Sequence, residues 1–310
     1  MIGSAFGVLF DGFAYGMLLF LLSVGLSVTL GMMNFVNLAH CSFAMLGGYV
    51  TVTLTMGLDC NIPSLQIMGW TFPGLHLFTI PPLPFLVTLP FAFLSAALAS
   101  VVFERLLYRR LYRATDLDQC LLTIGIVFMS VAAAAYIYGT IQQPVNLPAY
   151  LRGTLSVMGQ NLGVYRLFLI GTALIVTLVL VLALEYTRFG AQVRAAVDNQ
   201  RMARGLGINV DWVFAVTFAL GSGLAGLGGA LAIEIIGLDH AFAFTYLVYV
   251  LIVVSVGGLG SIAGSFIAAT LLGISDMAGK YYFPEFGAFL IYLVMVTLLM
   301  WRPVGLFGRR

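Results

Sequence analysis

Four arginines, Arg188, Arg194, Arg201 and Arg204, stand within residues 187–208 of a chain that carries almost no other charge. Between them lie Ala191, Ala195, Ala196 and Ala203, and Asp198 falls four residues after Arg194 and three before Arg201. Alanines at this density favour a short helix, the Arg–Asp spacing supports it, and Gly205 and Gly207 end it. Small residues admit a second surface closely and the arginines give it charge to read, so the segment suits docking to a partner. A basic loop that only fixes membrane topology would look the same. A second polar set, Asn34, Asn37 and His40, recurs at spacing three inside an apolar run. On a helix it would share one face and look into the protein or a water-filled path, because polar groups against lipid are costly. Equally, the asparagines could cap a helix and His40 be a satisfied interior histidine. The triplet His40-Cys41-Ser42 suggests a reactive cluster, but three adjacent helical residues point in three directions and cannot share a proton. Glu234 and Asp239 are the carboxylates that proton coupling would use, and both fall close to the end of an apolar run.

These residues must be held by membrane helices. The chain is 61% hydrophobic and 8% charged, and several of its apolar runs reach the ~20 residues that cross a bilayer as helix. The alternating ten-residue segments of a membrane β-barrel are absent. We therefore expect an all-α polytopic membrane protein. It is expected to be a single transmembrane domain over 1–310, with a short cytoplasmic helix at 187–208. Arg105 is the first basic residue, so no secretory n-region is visible. Cys41, Cys60 and Cys120 lie far apart without metal-ligand spacing, and no metal, cofactor or nucleic acid is expected.

In order, the expected spans are 8–30, 31–56, 83–103, 119–139, 166–186, 211–237, 243–258, 265–280 and a last one before the tail. The run 57–82 forms a proline-containing loop. Arginine placement orients them. Residues 104–118 and 187–208 hold four arginines each, and the tail adds Arg302, Arg309 and Arg310. Placing all of these in the cytoplasm leaves Arg152, Arg166 and the single lysine, Lys280, outside. That requires 243–258 and 265–280 to be two short crossings about the turn 257–264, GGLGSIAG, in which Gly257 and Gly258 are candidate translocation-path residues. The count is nine crossings, or eight if one is lost. Gly221, Gly223, Gly226, Gly228 and Gly229 lie in one span and favour close helix packing.

Four stretches resemble permease subunits of bacterial branched-chain amino acid importers of the ATP-binding-cassette (ABC) type. They are GLSVTLGMMNFVNLAHCSFAMLGGY (25–49), the run from Thr187 to Leu231, VVSVGGLGSIAGSFIAATLLGI (253–274) and RPVGLFGRR (302–310). The resemblance covers essentially the whole chain with its motifs in order. It implies an inner-membrane, multi-pass transport subunit that is not itself an enzyme, and makes 187–208 the coupling helix. Arg194, Ala195, Ala196, Asp198, Arg201, Arg204 and Gly205 would then meet a cytoplasmic ATPase. The implied partners are a second homologous permease, two cytoplasmic ATP-binding subunits and a periplasmic substrate-binding protein. The chain's own residues agree on one point: the sole lysine, Lys280, is followed by Tyr281 and lacks a glycine six residues earlier, so no phosphate-binding G-x-x-x-x-G-K-[ST] loop exists.

The chain also departs from the pattern. The better-known importer motif at the coupling helix begins Glu-Ala-Ala with a glycine four residues on. Here Arg194 precedes the alanines, and no glycine comes before Gly205. Cys41 replaces the glycine usual after His40, and Tyr249 stands where some relatives carry lysine. The expected cargo is a branched-chain amino acid or a related small solute. Urea, amides or another small organic solute are the alternatives within the family, and a stand-alone secondary transporter using Glu234 is the alternative outside it. No buried arginine stands ready to clamp a carboxylate.

Overall fold

The protein was analysed as a computed structural model. It describes residues 2–308 apart from 34, 36, 63–64, 68–69, 73–74, 112–113, 146 and 158–159. Asn34, Ser64, Arg113, Arg309 and Arg310 therefore lie outside the described residues.

Among the described residues, nine apolar helices make the bundle. They are α1 (Ile2–Met33), α2 (His40–Met56), α3 (Phe85–Phe103), α5 (Asp116–Tyr138), α6 (Val164–Tyr186), α9 (Val210–Ile236), α10 (Phe242–Gly257), α11 (Ile262–Tyr282) and α12 (Gly287–Trp301). Six of them, α1, α3, α5, α6, α9 and α11, are long and apolar enough to cross a bilayer, whereas α10 and α12 are shorter apolar helices. A π turn, Glu104–Tyr108, and the short α4 (Arg109–Leu111) carry α3 on beyond the expected end at 103. Two small helices, α7 (Arg188–Asp198) and α8 (Gln200–Gly205), fill the basic segment.

Local chemistry explains most boundaries. Thr115 and Asp118 form a reciprocal capping box at the start of α5. Asn209 caps α9 by accepting from Trp212 N at 3.1 Å, and Ser261 caps α11 by accepting from Gly264 N at 3.0 Å. The run 57–82 is not the plain loop expected. It contains β1 (Leu58–Ile62) paired antiparallel with β4 (Leu75–Ile80), and β2 (Leu65–Ile67) paired with β3 (Trp70–Phe72). A third small hairpin joins β5 (Thr154–Val157) and β6 (Gln160–Gly163) ahead of α6. Alternating β-formers such as those in Leu75–Ile80 explain this: a connection with unpaired backbone groups gains by pairing with itself.

The core lies around α1 and α9. In their most apolar stretches 89% of α1 and 78% of α9 residues are buried, against 22% in both α5 and α6. Hydrophobicity alone does not separate these helices, since α5 and α6 are at least as apolar. Glycine does. A Cβ on Gly25 would sit 2.0 Å from the Gly221 carbonyl oxygen, one on Gly47 2.3 Å from that of Gly226, and one on Gly229 1.8 Å from that of Ala44. These contacts bring α9 backbone to backbone with α1 and α2, and Gly226 also meets Ala92 and Ala96 of α3. The small residues of 221–229 thus pack helices closely, as their spacing predicted. Gly25–Gly221 and Leu22–Gly228 pair in opposite chain directions, so α1 and α9 run antiparallel.

Candidate functional site

Below the bundle, α6 turns sharply into α7. Thr187 makes the corner: its hydroxyl donates to the Ala183 carbonyl and accepts from Gly190 N at 3.2 Å. Gly190 presses against α6 so closely that a Cβ there would lie 1.9 Å from the Leu184 carbonyl oxygen. That same carbonyl, among those a helix end leaves without an intrahelical partner, accepts a hydrogen bond from the Arg194 guanidinium. Arg194 therefore closes the corner as well as adding charge.

The expected single helix over 187–208 is two. Asn199 breaks it with φ −155° and ψ 98°, and its Oδ1 accepts from Arg201 N and Met202 N, both at 3.1 Å, capping α8. The break is the physical reason why Arg194 and Arg201, seven residues apart, do not share one continuous helical face. Gly205 is the last residue of α8, and Gly207 at φ +84° follows it, which bears out the expected stop.

Val193, Ala196 and Ala203 are buried on the inner side, in a small cluster with Val210, Val213 and Phe214 from the start of α9. Ala196 is fully buried, so it belongs to the seat beneath the α7–α8 unit and not to the outward surface on which the sequence reading set it. Ala195 is half-buried. The outer surface consists of Arg188, Arg194, Asp198, Arg201, Arg204 and Gly205 with three apolar side chains, Val197, Met202 and Leu206. Met202 is 67% and Leu206 80% exposed. Their spacing of four, from α8 to the residue that caps it, was available in the sequence but was overshadowed by the arginines. Asp211, at the start of α9, pairs with Arg204 at 3.0 Å and also with Arg109 from α4. One carboxylate thereby joins two arginine-rich connections.

The polar residues near α2 are arranged differently from the expectation. Helix α1 ends at Met33 and α2 starts at His40, so Asn37 lies in the turn between them and not on a helical face with His40. Asn37 Oδ1 accepts from Ala39 N at 3.1 Å, the local bond by which asparagine stabilises turns. His40 is fully buried with Nε2 3.0 Å from the Leu22 carbonyl oxygen. The His40 bond matches the interior-histidine reading, whereas the Asn37 bond belongs to the turn: α2 starts from Ala39 with no side-chain cap among the described residues. Asn37 Nδ2 and His40 Nδ1, both buried, have no protein partner. Cys41 is a buried free thiol, and the Ser42 hydroxyl accepts from Ser130 at 2.8 Å. The three side chains thus have separate surroundings.

Gly257 ends α10, and a Cβ on it would lie 2.7 Å from the Gly264 backbone. Gly258 and Gly260, at φ +95° and +79°, form the turn to α11 and lie against Gly308 and Gly31 respectively. The chain's tail completes this corner, with Leu306 N donating to the Val256 carbonyl at 2.8 Å and Phe307 N to that of Gly257 at 3.2 Å. The two glycines are needed for backbone approach. Glu234 is exposed and Asp239 half-buried. A fully buried carboxylate in the bundle is instead Asp276 on α11, which the sequence reading passed over.

A bundle of this kind, with two glycine-faced central helices and a folded basic unit at one end, defines a multi-pass membrane protein. Residues 8–299 match the family model described as the permease component of branched-chain amino acid transport systems. The chain is 27% identical to the high-affinity branched-chain amino acid transport system permease protein LivH of Salmonella typhimurium, covering 97% of this chain and 94% of the relative. It is 28% identical to LivH of Escherichia coli K12 over the same shares. To BraD of Pseudomonas aeruginosa it is 24% identical, over 97% of this chain and 95% of the relative. A shorter similarity, 29% identity over 35% of the chain, reaches the permease protein LivM of S. typhimurium. No solved structure matches the chain. The chain belongs to the family of permease components of branched-chain amino acid transport systems, and is a transport subunit.

Proposed function

We propose that this chain is a transmembrane permease of an ABC importer that brings branched-chain amino acids into the cytoplasm across the bacterial inner membrane. Its 310 residues act as a single permease domain, with 187–208 facing the cytoplasm. The observation that carries the reading is the α7–α8 unit. It is seated on its own apolar cluster yet presents Met202 and Leu206 among arginines. Exposed apolar side chains with a charged rim fit a partner's groove. With no nucleotide-binding loop in the chain, ATP hydrolysed by cytoplasmic partner subunits would act through this contact. The named relatives support the cargo. The similarity to LivM supports a second, homologous permease beside this one, and a periplasmic binding protein would deliver the substrate.

The test is uptake of radiolabelled leucine into proteoliposomes. We expect it to require ATP and co-purified ATPase subunits, and Met202→Glu with Leu206→Glu to strip those subunits from the complex. ATP-independent leucine uptake by this chain alone, driven by a proton gradient, would overturn the reading.

A further inference from the structure

At the end of the bundle away from α7–α8, α1 and α11 meet across glycine. A Cβ on Gly12 would lie 2.7 Å from Ile274 Cα, and one on Gly273 would lie 2.4 Å from Gly16 Cα. This approach brings Tyr15 beside Asp276 and Lys280. Asp276 is fully buried within a membrane helix. Its Oδ2 accepts from Lys280 Nζ at 2.6 Å, one turn further on, while its Oδ1 has no hydrogen-bond partner among the described residues. Lys280 Nζ sits 5.4 Å from the centre of the Tyr15 ring, and the lysine side chain is half-exposed. A row of tyrosines continues outward. Tyr246 and Tyr249 of α10 have ring centres 5.8 Å apart, and the Tyr249 ring centre is 6.4 Å from that of Tyr292 of α12. Helices α10 and α12, which carry Tyr246, Tyr249 and Tyr292, both pack against α11.

A carboxylate taken out of water with one oxygen unpaired is costly, and in a membrane helix such a group marks a functional site. The ion pair satisfies half of Asp276. The remaining oxygen calls for a second cation or donor, and Lys280, with three donors and one given to Asp276, can still receive an anion. Opposite charges one helical turn apart, beside aromatic faces, fit a small molecule that carries both charges and an apolar body. We propose that Asp276 and Lys280 receive the ammonium and carboxylate groups of a zwitterionic amino acid, whose side chain lies against Tyr15, Tyr246, Tyr249 and Tyr292. The ammonium takes the free oxygen of Asp276, so the existing pair stays intact. The exposed Lys280 and Tyr292 mark the entrance and the buried Asp276 the inner end. The tyrosine rings add attraction for the ammonium through their faces.

This site rests on the amino acid importer reading, and the experiment separates the two. Leucine uptake is measured with the complete complex and its binding protein for wild type, Asp276→Asn, Lys280→Gln, the double variant, and Glu285→Gln, an exposed carboxylate at the same end, as control. Both single variants should lower uptake by about thirtyfold or more, as removing one partner of a desolvated charge pair does. The complex should be recovered in normal yield and the control should transport normally. The double variant decides between ligand and brace. If the two charges only brace α11, neutralising both restores uptake; if they hold the substrate, the double variant is no better than either single one. Restored uptake in the double variant, or near-normal uptake in Asp276→Asn, overturns the site and leaves the importer reading standing. A wild-type complex that carries urea but no leucine overturns the importer reading first.

Discussion

The corner at Gly190 permits a sharp prediction. Changing Gly190 to alanine puts a methyl carbon 1.9 Å from the Leu184 carbonyl oxygen, where ordinary contact begins near 3.4 Å. The difference, 3.4 − 1.9 = 1.5 Å, must be taken up by moving α7 away from α6. Two effects oppose each other. Alanine is favoured over glycine inside a helix by about 0.5–1 kcal/mol, while overpacking costs about 1–3 kcal/mol. Here the obstacle is backbone, which yields less than a side chain, so the upper part of the second range applies and the clash wins by about 1–2 kcal/mol. That corresponds to a roughly 5- to 30-fold loss in occupancy of the seated α7–α8 arrangement. The shift also strains the Arg194 bond to Leu184, because both act on the same carbonyl. In the reconstituted complex, leucine uptake per ATP hydrolysed should fall several-fold. Gly171→Ala, on α6 with nothing within 4 Å, should behave as wild type. Wild-type coupling in Gly190→Ala would refute the argument, since it would mean that α7 does not need its close seat on α6.

Topology and the turn before α2 give two further predictions. Single cysteines at the exposed Thr140 and Gln200, in a chain otherwise free of cysteine, should be distinguished by an impermeant thiol reagent. Thr140→Cys should label on intact cells and Gln200→Cys only after permeabilisation, and the reverse would invert the orientation. Asn37→Leu removes the turn bond to Ala39 N, at about 0.5–1.5 kcal/mol for one hydrogen bond. It should slow uptake while the complex still assembles; loss of assembly would mean that Asn37 only holds the turn.

Much of this fold was legible because membrane helices are written locally. Apolar runs gave the helices of the bundle, and the glycines of 221–229 announced close packing that the backbone contacts realise. The failures arose where one residue type supports two conformations. Asn34, Asn37 and His40 share a helical spacing, yet asparagine also favours turns, and the chain takes the turn. Asn199 fits inside a helix on charge pattern, but as a cap it starts a new one, and the run Asn199-Gln-Arg-Met was the available signal. Ala196 looked like a docking surface because alanine is small. What covers it, Val210, Val213 and Phe214, is known only once α9 folds back against it. Asp276 and Lys280 carried a readable i,i+4 signature, but the tyrosines around them come from three other helices, and no local pattern announces that meeting.

The tight α10–α11 turn bears on how the chain enters its membrane. At 16 residues α10 spans about 24 Å, less than the ~30 Å of a bilayer interior, and α11 brings an aspartate and a lysine with it. Neither is a good solitary insert. Joined by Gly258 and Gly260, they can enter as one hairpin that shields its own charges, with α1, already threaded, as the surface that receives it. The bonds from Leu306 and Phe307 to Val256 and Gly257 can form only after synthesis has passed the last helix. Leu306 and Phe307 therefore act as a latch on a turn made some fifty residues earlier, and a nascent chain stopped before them leaves that corner open to membrane quality control.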